Sequence, residues 1–300
     1  MPVNERPQDE NQIVNYARRS RCGALSDRGA IPRASTNGAG PASLVRRRRK
    51  AAVPSVVLVS AAMTFWVLLV GAAPAVALMT FFYWRDRYER EPLPHVVAAF
   101  ILGAYALLAA QGAAGMVESW VTREWLVLGG LPGRLFENFV VAGLVEEGAK
   151  LMVLGAAVYH WSQFDEPLDG LIYGVAVGLG FAGVENVLYL TRLGLGVAWL
   201  RAIFAVPAHA LMGAVMGLYL GRAKFERGEK HWRHLIFALL VPTLFHGTYD
   251  FALARRLHTV VWIFVSVLSL LFWRFVLLRV YRAQRASPFR PKTIAPFSRT

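Results

Sequence analysis

Residues 168–191 read LDGLIYGVAVGLGFAGVENVLYLT, an apolar run whose only charged residues are Asp169 and Glu185. About 20 predominantly apolar residues suffice to cross a bilayer as a helix, so this run is long enough to span one. Because lipid offers no hydrogen-bond partners to the backbone, the run predicts a membrane helix. Glu185 therefore requires a polar partner within the protein.

Apolar runs of similar length recur along the chain. They cover residues 53–84, 92–116, 134–159, 168–191, 198–220, 233–252 and 258–279. Hydrophobic residues make up 56% of the 300-residue chain and the mean hydropathy is +0.41, whereas soluble domains hold about 45–50% apolar residues. We therefore predict an all-α fold, a polytopic transmembrane bundle of seven or eight helices.

The number of helices depends on the first run, residues 53–84. It is longer than one crossing requires and barely long enough for two, at about 1.5 Å of rise per residue. Pro74 divides the run near its middle. We favour a short hairpin, and thus eight crossings, because it keeps the basic residues 46–50 on the cytoplasmic side.

The formal net charge of +14 is concentrated in the tails and in a few joints between the runs. This distribution is typical of the positive-inside bias of membrane proteins. We therefore expect the basic residues to face anionic lipid of the bilayer, and we do not expect a nucleic-acid partner. We predict a disordered basic tail over residues 1–50, a transmembrane catalytic domain over 51–280, and a basic cytoplasmic tail over 281–300. The chain is expected in the cell membrane, with its basic loops and C-terminus cytoplasmic.

Ionisable residues occur deep within four of the runs, where each costs about 2.5 to 3.5 kcal/mol to insert. They are Glu146, Glu147, Glu185, His209, His246 and Asp250. Counted from the cytoplasmic end of each run, the acids and imidazoles lie within roughly 9 Å of one another along the membrane normal. A shared depth predicts one polar site, formed by helices that are distant in sequence.

Spacing suggests how these groups are paired. Glu146 and Lys150 are four residues apart, as are His246 and Asp250, so each pair shares a helix face. We expect Lys150 to support the Glu146 carboxylate and Asp250 to orient His246. Arg201 lies near a helix end, and we expect it to extend to the lipid interface.

The set suits hydrolysis of a peptide bond, which needs an activated water, an oxyanion donor and an acid for the leaving amine. In a glutamic scheme, Glu146 or Glu147 is the base, assisted by Glu185 or His209. His246 and Asn186 are then the candidate oxyanion donors, and no cofactor is required. In a metal scheme, Zn²⁺ is bound by candidates His209, His246 and Glu185, although the chain has no HExxH motif.

Two other classes of function fit the composition. Acids and histidines at one membrane depth also build the proton relays of ion-coupled transporters. A catalytically inactive membrane scaffold is the third alternative. Loss of one glutamate should abolish all cleavage by a protease, whereas a transporter should survive it with altered coupling.

Several short motifs together resemble the PrsW family of intramembrane proteases, over about residues 70 to 280. They are Tyr83-Trp84-Arg85-Asp86-Arg87-Tyr88 followed by Glu91-Pro92, Glu146-Glu147-x-x-Lys150, Asp165-Glu166 with Asp169-Gly170, Tyr173-Gly174, Gly180-Phe181-Ala182 with Glu185-Asn186, His209-Ala210, and His246-Gly247-x-Tyr249-Asp250. The resemblance implies site-1-type cleavage of a single-pass membrane protein, an anti-sigma factor.

The resemblance also implies kinship with the type II CAAX prenyl proteases, whose motifs look like EExxxR, FxxxH and HxxxN. The matching positions here read Glu146-Glu147-x-x-Lys150, Phe181-x-x-x-Glu185 and His246-x-x-x-Asp250. A carboxylate, Glu185, therefore stands where that wider group has an imidazole.

Overall fold

The computed structural model describes residues 49–85, 90–124, 130–254 and 258–286, and within these ranges the chain is helical with no strand. The long helices are α1 (Arg49–Arg85), α2 (Leu93–Glu124), α4 (Val145–Ala156), α5 (Pro167–Leu193), α7 (Val206–Phe225), α8 (Glu229–Ala254) and α9 (His258–Ala286), with the short helices α3 (Gly130–Leu135) and α6 (Ala198–Leu200) before α4 and α7. The predicted all-α fold is confirmed.

Six helical segments are long and apolar enough to cross a membrane. They are Met63–Arg85, Leu93–Val121, Pro167–Leu193, Leu195–Phe225, Glu229–Leu253 and Thr259–Arg282. A seventh helical stretch begins with α3, continues through a π-helical segment, Phe136–Leu144, and ends with α4, where its acidic residues lower its hydropathy. The chain is a multi-pass membrane protein.

The hairpin favoured for residues 53–84 is wrong. Helix α1 continues without a break from Arg49 to Arg85, through Pro74. A proline removes only one helical hydrogen bond, whereas a reversal within the apolar layer would leave several backbone groups of the turn without partners. The structure thus gives seven long helical stretches in the described residues.

The chain divides into two compact units, Met1–Leu69 and Val70–Thr300. Of the first unit, the structure describes only the start of α1. The predicted disordered tail lies outside the described residues up to residue 48, and the predicted C-terminal tail from residue 287 onward. Residues 281–286 continue α9 and are helical.

Helix α5 is the centre of the second unit, since 16 of its residues from Leu168 to Leu190 are hydrophobic or glycine and buried. It begins with Pro167 at the first position and with a capping box, in which the Asp169 carboxylate accepts hydrogen bonds from the backbone N–H of Asp165 and Glu166. Farther along, the Tyr173 hydroxyl donates to Glu91, which lies just before α2. These contacts set where α5 starts and tie it to α2.

Glycines bring α5 and α7 into direct backbone contact. Gly170, Gly174 and Gly178 repeat at every fourth residue of α5, and they face Gly213 and Gly217 of α7 and their neighbours. A Cβ atom on Gly174 would overlap the carbonyl oxygen of Gly213. This close approach, typical of small residues at membrane helix interfaces, places Glu185 of α5 beside His209 of α7.

Candidate active site

The polar residues of four helices meet in one buried group, which we call the acid–imidazole cluster. It consists of Glu146, Glu147 and Lys150 from α4, Glu185 from α5, His209 from α7, and His246 and Asp250 from α8. The shared depth predicted from the sequence is thus realised as direct contact. Each of the six predicted catalytic residues lies within 4 Å of another member of the cluster.

Two of the contributing helices are preceded by π-helical segments. Phe136–Leu144 lies directly before α4, and Arg201–Ala205 lies directly before α7, which has Pro207 at its start. π-Helical turns shift the register of the residues that follow and occur frequently at functional sites. Here they come just before Glu146 and just before His209.

The carboxylate of Glu147 is the most enclosed member of the cluster. Its Oε1 atom lies 2.7 Å from Lys150 Nζ and 2.8 Å from His246 Nδ1, and the side chains of Glu147 and Lys150 are both 0% exposed. The expected pairing of Lys150 with Glu146 is therefore wrong. In the α4 geometry, Lys150 reaches the glutamate three residues away, while Glu146 faces His246.

Lys150 also contacts α7, because its Nζ atom lies 2.9 Å from Nδ1 of His209. An ammonium group can only donate, so His209 accepts this hydrogen bond at Nδ1 and carries its proton at Nε2. The Nε2–H group points to Glu185 Oε2, 3.1 Å away. His209 thus places an imidazole beside Glu185, from another helix.

His246 lies among three carboxylates. Its Nε2 atom is 3.4 Å from Asp250 Oδ2 and 3.8 Å from Glu146 Oε2, while Nδ1 faces Glu147. The rings of His209 and His246 are nearly perpendicular, with centroids 5.3 Å apart. Nδ1 of His209 faces Lys150 and Nδ1 of His246 faces Glu147. The Nε2 atoms face other carboxylates, Glu185 for His209 and both Glu146 and Asp250 for His246.

Exposure differs across the cluster. The side chain of Asp250 is 30% exposed and that of Glu185 14%, while Glu147 is fully enclosed. Among the described residues, Glu146 Oε2 and Glu147 Oε2 are buried and have no hydrogen-bond partner. Each of these two oxygens can accept a hydrogen bond from a water or a substrate amide, or can bind a cation.

Arg201 was not predicted to belong to this site. Its Nη2 donates to Glu185 Oε2 at 2.7 Å and its Nε donates to Asn186 Oδ1 at 2.8 Å. The expectation that it extends to the lipid interface is therefore wrong. An arginine within an apolar run needs a polar partner inside the protein. Glu185 lies toward the same end of the neighbouring helix, so the sequence could have indicated this contact.

Asn186 supports Arg201 rather than the centre of the cluster. While its Oδ1 accepts from Arg201, its Nδ2 donates to the carbonyl oxygen of Gly71 at 2.8 Å. Both ends of the amide are thus used, and the side chain is fully buried. This arrangement does not fit the expectation that Asn186 donates to an oxyanion.

A metal ion would find suitable ligands in the cluster. Glu147, His209 and His246 each offer a ligand atom, and these atoms lie within 4.8 Å of one another. Each histidine also has a carboxylate on its outward-facing nitrogen, as metal-binding histidines commonly do. Three protein ligands with a position left open are typical of catalytic zinc. The residue types fit a metal, and an ion bound here would replace the hydrogen bonds that now join Lys150 to Glu147 and His209 and His246 to Glu147. Glu185, expected among the ligands, contacts instead the far nitrogen of His209.

Comparison with known proteins gives a consistent family. Residues 91–278 match the family described as PrsW family intramembrane metalloprotease. A curated relative, Protease PrsW of Bacillus subtilis, is 37% identical over 221 residues, which cover 73% of this chain and 96% of the relative. Protease PrsW of Geobacillus kaustophilus is 34% identical over 233 residues, covering 77% and 97%. No solved structure matches.

Proposed function

The chain belongs to the PrsW family of intramembrane proteases, and from this membership we propose that its acid–imidazole cluster hydrolyses a peptide bond of a membrane-anchored protein. The observation that carries the proposal is the contact of Glu147 with both Lys150 and His246 inside the membrane domain. The substrate we propose is a single-pass regulator of the anti-sigma type, cut at its first site.

Glu146 is the general base that we propose. Its Oε2 atom is buried and has no hydrogen-bond partner among the described residues, and His246 Nε2 lies 3.8 Å away. A carboxylate without a donor can take a proton from a nearby water, and the imidazole beside it can deliver a proton to the leaving amine. Glu146 and His246 thus divide the proton transfers between them.

Glu147 has a different role, because Lys150 and His246 already donate to its Oε1 atom. We propose that it holds the two donors in place. With a metal ion bound, Glu147, His209 and His246 would hold the ion in place of these hydrogen bonds. A bound Zn²⁺ supplies Lewis-acid chemistry, polarising a carbonyl and promoting ionisation of water. Lys150 and His246 also place positive charge or N–H donors where an oxyanion would develop.

Access is from the side of Asp250 and Glu185, the most exposed acids of the cluster. We propose that an unwound segment of the substrate enters there, so that its scissile carbonyl meets His246. A proton-coupled transporter would also place acids at this depth. The protease family membership and the open carboxylate of Glu146 favour hydrolysis.

Co-expression with a tagged single-pass substrate tests the proposal. Glu146→Gln and Glu147→Gln should each lower cleavage by a factor of about 100 or more, as expected when a base or a charged support is removed. Glu137→Gln is the matched control, because Glu137 lies on the preceding π-helical segment and is exposed. Normal cleavage by both cluster variants, at equal membrane levels, would overturn the assignment.

A further inference from the structure

We infer that Arg201 is a positioning residue, which fixes the Glu185 carboxylate and thereby the orientation of the His209 ring. The inference rests on the proposed hydrolysis. A chain of hydrogen bonds leads from Gly71 of α1 to the cluster and passes, in order, through Asn186, Arg201, Glu185, His209 and Lys150. Among the described residues, Arg201 is the only permanently charged cation in the part of this hydrogen-bonded series that runs from Gly71 to Glu185.

The guanidinium is held from three directions. Its Nε donates to Asn186 at 2.8 Å, its Nη2 donates to Glu185 at 2.7 Å, and its Cζ lies 3.9 Å from the ring centroid of Tyr189. The side chain is only 13% exposed. A planar guanidinium with two fixed bonds and a stacked ring has little freedom to turn, so it presents Nη2 to Glu185 at one position.

Glu185 transmits this position to His209. The same oxygen, Oε2, accepts from Arg201 Nη2 and from His209 Nε2. Arg201 therefore fixes the oxygen atom against which Nε2 of His209 is placed. On the other side of the ring, Nδ1 faces Lys150 and the centre of the cluster.

Without Arg201, the Glu185 carboxylate would lose the charged donor at Oε2 and could rotate away from His209. The site would keep its residues, but the His209 ring would no longer be held in one orientation between Glu185 and Lys150. Arg201 touches neither Glu147 nor His246 by hydrogen bond or ion pair within the described residues, so its effect is indirect.

Kinetics of purified protein on a substrate peptide in detergent test the inference. Arg201→Met should lower kcat by about 10- to 100-fold, because the carboxylate behind His209 would lose the group that holds it. KM should change less than about threefold. Arg201→Lys should recover part of the loss, because it restores a cation beside Glu185. Arg192→Met, at the exposed end of α5, is the matched control and should behave as wild type.

The double variant separates positioning from simple structural support. If Arg201 acts through Glu185, Arg201→Met combined with Glu185→Gln should lose no more kcat than Glu185→Gln alone. Additive losses, or an unchanged kcat in folded Arg201→Met, would overturn the inference while leaving the proposed hydrolysis intact. Wild-type protein that cleaves no membrane substrate would overturn the proposed function itself.

Discussion

Lys150 and Glu147 form an ion pair of 2.7 Å in which neither side chain has any exposure. The lysine is also bonded to His209, and its Nζ atom lies 4.0 Å from the ring centroid of Phe181. Removing one partner of a buried pair leaves an uncompensated charge, which costs more than the pair itself contributes. The contact therefore bears on stability as well as on chemistry.

Lys150→Met should destabilise the protein by about 3 to 5 kcal/mol, because Glu147 would remain buried without its cation. Thermal unfolding in detergent measures the change. Adding Glu147→Gln to this variant should restore part of the stability, since the unpaired charge is then gone. Lys230→Met, on the exposed first turn of α8, is the control. Unchanged unfolding of the single variant would contradict the importance of the pair.

Metal analysis of the purified protein distinguishes the two catalytic schemes. We expect about one divalent ion per chain, lost on chelation and restored with activity by added Zn²⁺, as three ligands with an open position imply. His209→Ala and His246→Ala should each reduce the bound metal, whereas His231→Ala, which contacts the Ala223 carbonyl away from the cluster, should not. Full cleavage by metal-free protein would instead support the glutamic scheme.

Backbone contact between α5 and α7 should make their glycines intolerant of a methyl group. Gly174→Ala and Gly217→Ala each place a Cβ against a carbonyl oxygen of the other helix, and we expect a loss of about 1 to 3 kcal/mol. Gly155→Ala, which meets open space on α4, is the control and should be neutral or stabilising. Equal unfolding temperatures for all three variants would contradict the packing described for α5.

Sidedness can be measured by cysteine labelling in a Cys22→Ser background. We predict that the basic start of α8 is cytoplasmic, so Lys230→Cys should react with a membrane-impermeant maleimide only after the cells are opened. Gly196→Cys, in the joint after α5, should react in intact cells. The reverse pattern would invert the predicted orientation, although it would leave the cluster unchanged.

The resemblance to a protease family and the depth of the charged residues could be predicted because both depend on residue type and spacing along one helix. The pairing of those residues could not. Lys150 lies three residues from Glu147 and four from Glu146, and either spacing allows contact along one helix. Which pair forms depends on partners from other helices, here His246 on Glu147 and His209 on Lys150. The four-residue spacing favoured Glu146, and the structure gives Glu147.

Sequence by itself determined that this chain crosses the membrane as helices and carries acids and imidazoles at one depth. Unpaired backbone groups and ionisable side chains are both costly in free energy within lipid, so they stand out in an apolar sequence. Tertiary structure alone decided that Arg201 belongs to the site and that His209 provides the imidazole beside Glu185. Both contacts join different helices, and their geometry follows from how closely the glycine faces of α5 and α7 approach. The glycine spacing permits this approach, but which helix each glycine face meets is fixed only in the folded bundle.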